Sequence, residues 1–362
     1  MGPFDVAWLT ATVRLATPLL FAASGETVSE RTGILNIGLE GMMLSGAFFS
    51  YLGAWLWGNL FLGVLFGLVA GMAVAAIMAL LTIHARADQI VVGVGLNLMA
   101  IGITTFAYRQ IFTSRTEVHL DRPQPIPIPL LRDIPVVGDA LFSQTLLVYL
   151  AFLGVAVVWF VLYRTNWGLA IRAAGEVPAA ADTAGVSVAR IRWVGTLTAG
   201  AMAGLAGAFL CVGQLGIFQE DMSAGRGFLA LAAVIFGGWR PLGVLAACLV
   251  FGAADALQLR LQAYAFIPRQ VWLVVAVIAV AYVVATRIGT RAAVRSWLGL
   301  AIGVAVTGVA VGLFAAAPEI HFPLQLWLTV PYLLALLALA GLVGRVRMPA
   351  ALAIPYRRGG GP

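Results

Sequence analysis

The amino-acid sequence predicts an all-α, polytopic transmembrane bundle of about eleven spans, and three observations carry that prediction. Hydrophobic residues fill 62% of the 362 positions and charged residues only 10%, whereas a soluble globule holds about 45–50% apolar residues. Mean hydropathy reaches +0.99, and the apolar residues gather into runs near the roughly 20 that a helix needs to cross the hydrocarbon core. Those runs are too long and too uniformly apolar for barrel strands, and a bilayer admits only helices or closed barrels, because unpaired backbone groups are costly there.

In chain order the spans fall near 8–24, 34–57, 60–83, 89–112, 144–163, 193–214, 226–239, 241–262, 270–286, 297–316 and 324–344. Met1 to Ala7 carries Asp5 and no basic residue, so the first span is expected to stay rather than to be cleaved as a signal peptide. The fourteen residues of 226–239 are short for a crossing and read as a broken or re-entrant helix. Three glycine series at four-residue spacing, Gly63-Gly67-Gly71, Gly200-Gly204 and Gly308-Gly312, predict faces where helix backbones approach closely in lipid. Cys211 and Cys248 both fall inside spans, which argues against a disulfide or metal framework.

All 22 basic residues are arginines, and their placement orients the bundle. Arg164, Arg172, Arg190 and Arg192 share one connection, Arg287, Arg291 and Arg295 another, and Arg345, Arg347, Arg357 and Arg358 the tail. The positive-inside rule makes these regions cytoplasmic. The connection 113–143 balances three arginines against four acids, and its prolines 123, 125, 127, 129 and 135 favour extended backbone, so it is expected outside. Eleven crossings then put the N-terminus outside and the C-terminus in the cytoplasm. The net charge of +7 reflects this topology and calls for no nucleic acid.

Polar residues within the spans are the informative exceptions. The segment Gly25 to Met43, GETVSERTGILNIGLEGMM, sets three glutamates, an asparagine and four glycines between apolar runs. Asn36 and Glu40 share a face at i, i+4. Gln89, Gly93, Asn97, Thr104 and Tyr108 lie within about 100° of arc on one helix. A carboxyl at membrane depth needs an interior partner. Asn36 and Glu40 therefore either satisfy backbone groups freed where glycines interrupt the helix or line a solute path; Asn36, Glu40, Gln89 and Asn97 are the translocation-path candidates. Asp255 is expected to pair with Arg260.

Enzyme chemistry finds no motif. His84, His119 and His321 are scattered without metal-ligand spacing, no GxSxG elbow occurs, and a chain without lysine cannot carry a Walker lysine. Any ATP that drives the protein is bound by another subunit. The connection 164–192 is the second unusual segment: Pro178 opens a helix-prone Ala179-Ala180-Ala181, and Gly185 closes it, the expected capping asymmetry. A short helix standing there either docks a partner or is an ordinary structured connection.

Four blocks in order, GETVSERTGILNIGLEGMM, ADQIVVGVGLNLMAIGITTFAYR, GLAIRAAGEVPAAADTAGV and SAGRGFLALAAVIFGGWRPLGVLAACLVFGAADALQLRLQ, resemble permease subunits of bacterial nucleoside ABC importers, within the branched-chain amino acid and simple sugar permease family. The resemblance covers about residues 8–265 and the tail PYLLALLALAGLVGRVRMPAALAIPY. It implies a plasma (inner) membrane protein that pairs with a second, different permease subunit, docks a cytoplasmic ABC ATPase and receives substrate from an extracytoplasmic solute-binding lipoprotein. It also implies an ATPase-coupling helix at about Gly175 to Gly185, comprising Gly175, Glu176, Pro178, Ala179, Ala180, Ala181, Asp182 and Gly185. No cofactor is expected in this chain.

The sequence departs from that family in one place. The 68 residues 263–330 separate LQLRLQ from PYLL, and IPRQVWLVV at 267–275 recurs at an offset of 55 as FPLQLWLTV at 322–330. Residues 267–322 are therefore expected to form an inserted helical hairpin on about nine family-like spans, within a single permease domain 1–362. The expected function is a nucleoside importer permease, with a sugar or other small solute as the alternative cargo and an ion-coupled carrier as the alternative class.

Overall fold

Asp5 starts the first helix by accepting a hydrogen bond from the Trp8 backbone N–H at 3.0 Å, the side-chain cap an N-terminus needs. The structure, a computed structural model, describes residues 4–112, 119–135, 137–262, 269–288, 297–316, 329 and 347–357. Helix α1 runs Val6–Arg31, α2 Leu39–Trp57, α3 Leu60–Ala79 and α4 Gln89–Phe112. After a loop with the two-residue strand β1 (Ile126–Pro127) come α5 (Val137–Phe142) and β2 (Ser143–Gln144), which pairs antiparallel with β1. Then follow α6 (Leu146–Arg164), α7 (Asn166–Glu176), α8 (Pro178–Thr183) and α9 (Val188–Ala208). The chain continues through α10 (Arg226–Phe236), α11 (Pro241–Leu261), α12 (Arg269–Ile288) and α13 (Trp297–Ala316). Helices α3 and α9 each end in a π-helical turn, Leu80–His84 and Phe209–Leu215.

Among the described residues six helices are long and apolar enough to cross a membrane: α1, α3 and α9 with their π turns, α4, α6 and α11. The chain is a multi-pass helical membrane protein. The expected span 226–239 is the helix α10, whose 11 residues extend roughly 17 Å, about half of the hydrocarbon thickness. Residues 34–38 are not helical, so the helix of the expected second span, α2, starts at Leu39, and it is not among those six. Helix α9 begins at Val188 rather than near 193, because its first turns carry the arginines 190 and 192 that lower the local hydropathy. The expected span 324–344 and most of the two repeated segments lie outside the described residues.

Helices α1, α2, α3 and α9 form the centre, with α11, α10 and α6 packed around α1. Glycines set how close the centre packs. A Cβ on Gly71 would stand 2.2 Å from the Gly200 carbonyl oxygen, one on Gly204 2.3 Å from that of Gly67, and one on Gly207 1.9 Å from that of Met43. Only hydrogen fits at such backbone contacts. Gly308 and Gly312 behave otherwise: a Cβ there meets nothing within 4 Å, so the expected close packing on that face of α13 does not occur among the described residues. Helices α12 and α13 pack on one another. Arg260 pairs with Asp5 at 2.6 Å, tying the end of α11 to the start of α1, which overturns the expected Asp255–Arg260 pair.

Candidate functional site

Between α1 and α2 the chain runs non-helically through residues 32–38, where the helical hydrogen-bond ladder is interrupted and backbone groups need other partners. The polar side chains of this part of the sequence supply them. Gln89 Oε1 accepts from Leu35 N at 2.8 Å, Glu26 Oε1 from Asn36 N at 3.0 Å, and Asn97 Oδ1 from Gly41 N at 2.8 Å. Asn97 Nδ2 donates to the Ile37 carbonyl at 3.0 Å, and Ser29 Oγ to that of Ile34 at 3.1 Å. The first half of the polar stripe of α4, Gln89, Gly93 and Asn97, thus faces the break, whereas Thr104 bonds to its own helix and Tyr108 packs against Tyr51, Phe112 and Phe218. Gly93 lets α4 come close, since a Cβ there would lie 2.7 Å from Gly38 N. Glu26 Oε2, Asn36 Oδ1 and Gln89 Nε2 are buried without a hydrogen-bond partner among the described residues.

Glu40, in the first turn of α2, reaches a second helix start. Its Oε1 accepts from Gly225 N at 2.8 Å and its Oε2 from Gly227 N at 2.6 Å, so one side chain caps α10 across the sequence. Two glycines permit this. Gly225 sits at φ +80°, and a Cβ on Gly227 would stand 2.6 Å from Glu40 N. Discontinuous helices whose N-termini meet inside a bundle are where membrane carriers form solute and ion sites. The structure therefore brings Asn36, Glu40, Gln89 and Asn97 together around the α1–α2 break and the α10 start. At the other end of α10, Trp239 donates its indole N–H to Glu30 Oε2, and its carbonyl accepts from Arg31 Nε at 3.0 Å. Glu26, Glu30 and Trp239 belong to this polar interior and were not singled out from the sequence; two glutamates four residues apart inside an apolar span were the available signal.

The α7–α8 segment lies against the end of α1. Thr165 Oγ1 caps α7 by accepting from Gly168 N at 3.1 Å, Pro178 occupies the first turn of α8, and Gly185 follows α8 at φ +85°. Gly175 packs on the α1 terminus so tightly that a Cβ would stand 2.2 Å from the Arg31 carbonyl oxygen. Gly175 and Ala181 are buried, whereas Glu176, Ala179, Ala180 and Gly185 are exposed, and Pro178 and Asp182 are half-buried. Asn166, Ala173, Val177, Ala180 and Val186 line an apolar groove along α7 and α8. Trp167, Leu169 and Val177 stand exposed nearby, each more than half accessible.

The opposite end of the bundle is held by ion pairs. Arg109 grips Glu220 through two bonds of 2.7 Å. That guanidinium holds the Glu220 carboxyl below the usual carboxylate range, and Arg260 does the same for Asp5. The Glu220 pairing contributes fully above the ordinary carboxylate pKa and is lost as pH falls through the lowered one, with solvent screening keeping it small.

Comparison with known proteins gives this geometry its context. The family described as branched-chain amino acid transport system, permease component, matches residues 9–286. The guanosine ABC transporter permease NupQ of Bacillus subtilis is 34% identical over 364 aligned positions, covering 96% of either chain. The nucleoside ABC transporter permease NupC of Lactococcus lactis subsp. cremoris is 40% identical over 67% of this chain and 78% of its own. TsgC13 of Haloferax volcanii, provisionally named a glucose ABC transporter permease, is 43% identical over 72% of this chain and 79% of its own. No solved structure matches significantly.

Proposed function

The chain belongs to the branched-chain amino acid transport system permease family, and on that footing we propose that it forms the translocation path for nucleosides in an ATP-driven importer. It is an ABC permease, a transport subunit and not an enzyme. The observation that carries the nucleoside reading is the match to NupQ, which spans 96% of both chains. The residues around the α1–α2 break, with Asn36, Glu40, Gln89 and Asn97, flank the path, and residues 175–185 form the surface that a cytoplasmic ATPase engages. ATP is bound by that partner, a second permease subunit completes the path, and an extracytoplasmic binding lipoprotein delivers the solute. About eleven spans cross the bacterial plasma membrane, with the C-terminus cytoplasmic and the N-terminus outside. Within the expected insert 267–322, α12 and α13 pack on one another, which supports a helical pair there; the family match runs to residue 286 and so includes α12, and a complex that still assembles and transports after deletion of the block would mark it as an appendage.

A sugar cargo is the second reading, favoured by the 43% identity to TsgC13. The test begins with mild-detergent purification from native cells and identification of the proteins that accompany the chain. The reading expects an ATPase, a second permease and a binding lipoprotein. Titrating that lipoprotein with guanosine, uridine and glucose then separates the cargoes: nucleoside binding sustains the proposal, and glucose binding alone replaces it with the second reading. Recovery of this chain alone would overturn the partner assignment.

A further inference from the structure

Residues 347–357 lie on the bundle as a strap, turned over 350–353, between the α7–α8 segment and the α1–α2 break. Ala351 N donates to the Gly175 carbonyl at 2.8 Å, and Ala353 N to the Gly33 carbonyl at 3.1 Å. Two residues apart on the strap, these bonds join the candidate coupling segment to the broken helix. Arg192, on the first turns of α9, closes the arrangement: its Nε donates to the Thr32 carbonyl at 3.3 Å and its Nη1 to the Ile354 carbonyl at 3.0 Å. One buried guanidinium therefore holds the break with one arm and the strap with another.

The local backbone is shaped for this contact. Gly33 stands at φ +96°, and a Cβ there would lie 2.9 Å from Arg192 Nη2 and 3.0 Å from the Ala351 carbonyl oxygen. Ala353 adopts φ +63°, a left-handed conformation that a residue with a Cβ holds only when its surroundings impose it. Tyr356 packs into the cluster of Val28, Leu162, Ile171 and Ala181, beneath α7 and α8, and Leu352 packs on the main core. The strap is thus seated on both elements it bonds.

We propose that residues 347–357 transmit displacement of the α7–α8 segment to the α1–α2 break, with Arg192 as the positioning residue that keeps strap and break in register. The route is short and contiguous: Gly175 to Ala351, Ala353 to Gly33, then through Asn36 and Glu40 to the start of α10. This rests on the reading of residues 175–185 as the ATPase-coupling surface.

The complete complex in proteoliposomes gives the test, with guanosine imported per ATP hydrolysed as its readout. Arg192→Ala, and separately a chain ended after residue 346, are expected to retain the ATPase and its hydrolysis while that ratio falls at least tenfold. Arg192→Lys recovers part of the loss, since an ammonium reaches one carbonyl but not both. A merely architectural role would lower yield and melting temperature and leave the ratio of the surviving complexes unchanged. A wild-type ratio in both variants overturns the proposal, and so does loss of the assembled complex in both. Ala179→Cys crosslinking to the ATPase in the otherwise wild-type complex reports on the coupling surface by itself. With the crosslink formed and the ratios unchanged, the strap fails and the coupling surface stands; with no crosslink, the coupling reading fails.

Discussion

Glu40 accepts backbone N–H bonds at both carboxyl oxygens, from Gly225 and Gly227, and no other described side chain caps the start of α10. Hydrogen bonds to acidic groups contribute about 1.5–3 kcal/mol each, and a buried N–H left without a partner adds its own desolvation penalty. Glu40→Ala should therefore destabilise the bundle by about 3 kcal/mol or more, and Glu40→Gln by less, because the amide oxygen keeps one of the two bonds. Thermal unfolding of the purified protein in detergent reads both; equal melting temperatures for the wild type and the alanine variant would refute the capping role. At this scale the sequence was legible only by residue type. Three glutamates and an asparagine in an apolar region announce buried polar partners, but the helical face expected from the i, i+4 relation of Asn36 and Glu40 does not form, because Asn36 lies before the start of α2 at Leu39. Their partners stay hidden, since the Glu40 bonds span more than 180 residues and Asn36 bonds through its backbone N–H in a stretch that is not helical. The Asp255–Arg260 expectation failed for a related reason. Proximity on one helix suggested the pair, while the competing acid, Asp5, comes from the far end of the chain.

Glycines set the close crossings of α3 with α9 and α2, of α9 with α2 and α1, and of α11 with α1. The spacing of Gly67, Gly71, Gly200 and Gly204 foretold the α3–α9 contact, but the same spacing at Gly308 and Gly312 meets nothing within 4 Å among the described residues; four-residue periodicity reports which glycines share a face and not whether a neighbour occupies it. Gly71→Val should abolish assembly or lower the melting temperature sharply, because its Cβ would collide with the Gly200 backbone at 2.2 Å, while Gly308→Val should melt as the wild type does. Comparing the two in one detergent isolates the contact from the helix propensity of valine. The α7–α8 segment supports a different test. Pro178 and Gly185 bounded α8 correctly from sequence, whereas α7 and its groove needed the structure. Reversing charge at Glu176 and Asp182 should leave the bundle folded and uncouple ATP hydrolysis from uptake in the complete complex. Unchanged uptake in both Glu176→Arg and Asp182→Arg would remove this segment from the coupling surface.

Over the whole molecule, the two ends of the bundle differ in what they carry, and that difference predicts its orientation. One end gathers the terminus of α1, the α7–α8 segment, the arginine-bearing start of α9 and the strap 347–357. The other gathers the Arg109–Glu220 pair and the proline-bearing loop 119–135, whose Leu120 N donates to the Gly216 carbonyl at 2.8 Å. Arginine is retained on the cytoplasmic side during insertion, so the first end is expected to face the cytoplasm. Hydropathy made the apolar helices legible before any coordinates, because their length and composition are set by the membrane rather than by tertiary contacts. The half-length of α10 and the return of the strap were not, because each is decided by long-range bonds. Two single cysteines test the orientation cleanly, since the native Cys211 and Cys248 are buried. Leu130, 84% exposed on the loop, and Ala179, exposed on α8, each replace without loss of a side-chain contact. In intact cells or spheroplasts an impermeant maleimide should modify Leu130→Cys, and Ala179→Cys only after permeabilisation. The reverse pattern would invert the bundle, place residues 175–185 away from any cytoplasmic ATPase, and take the coupling surface and the strap down with it.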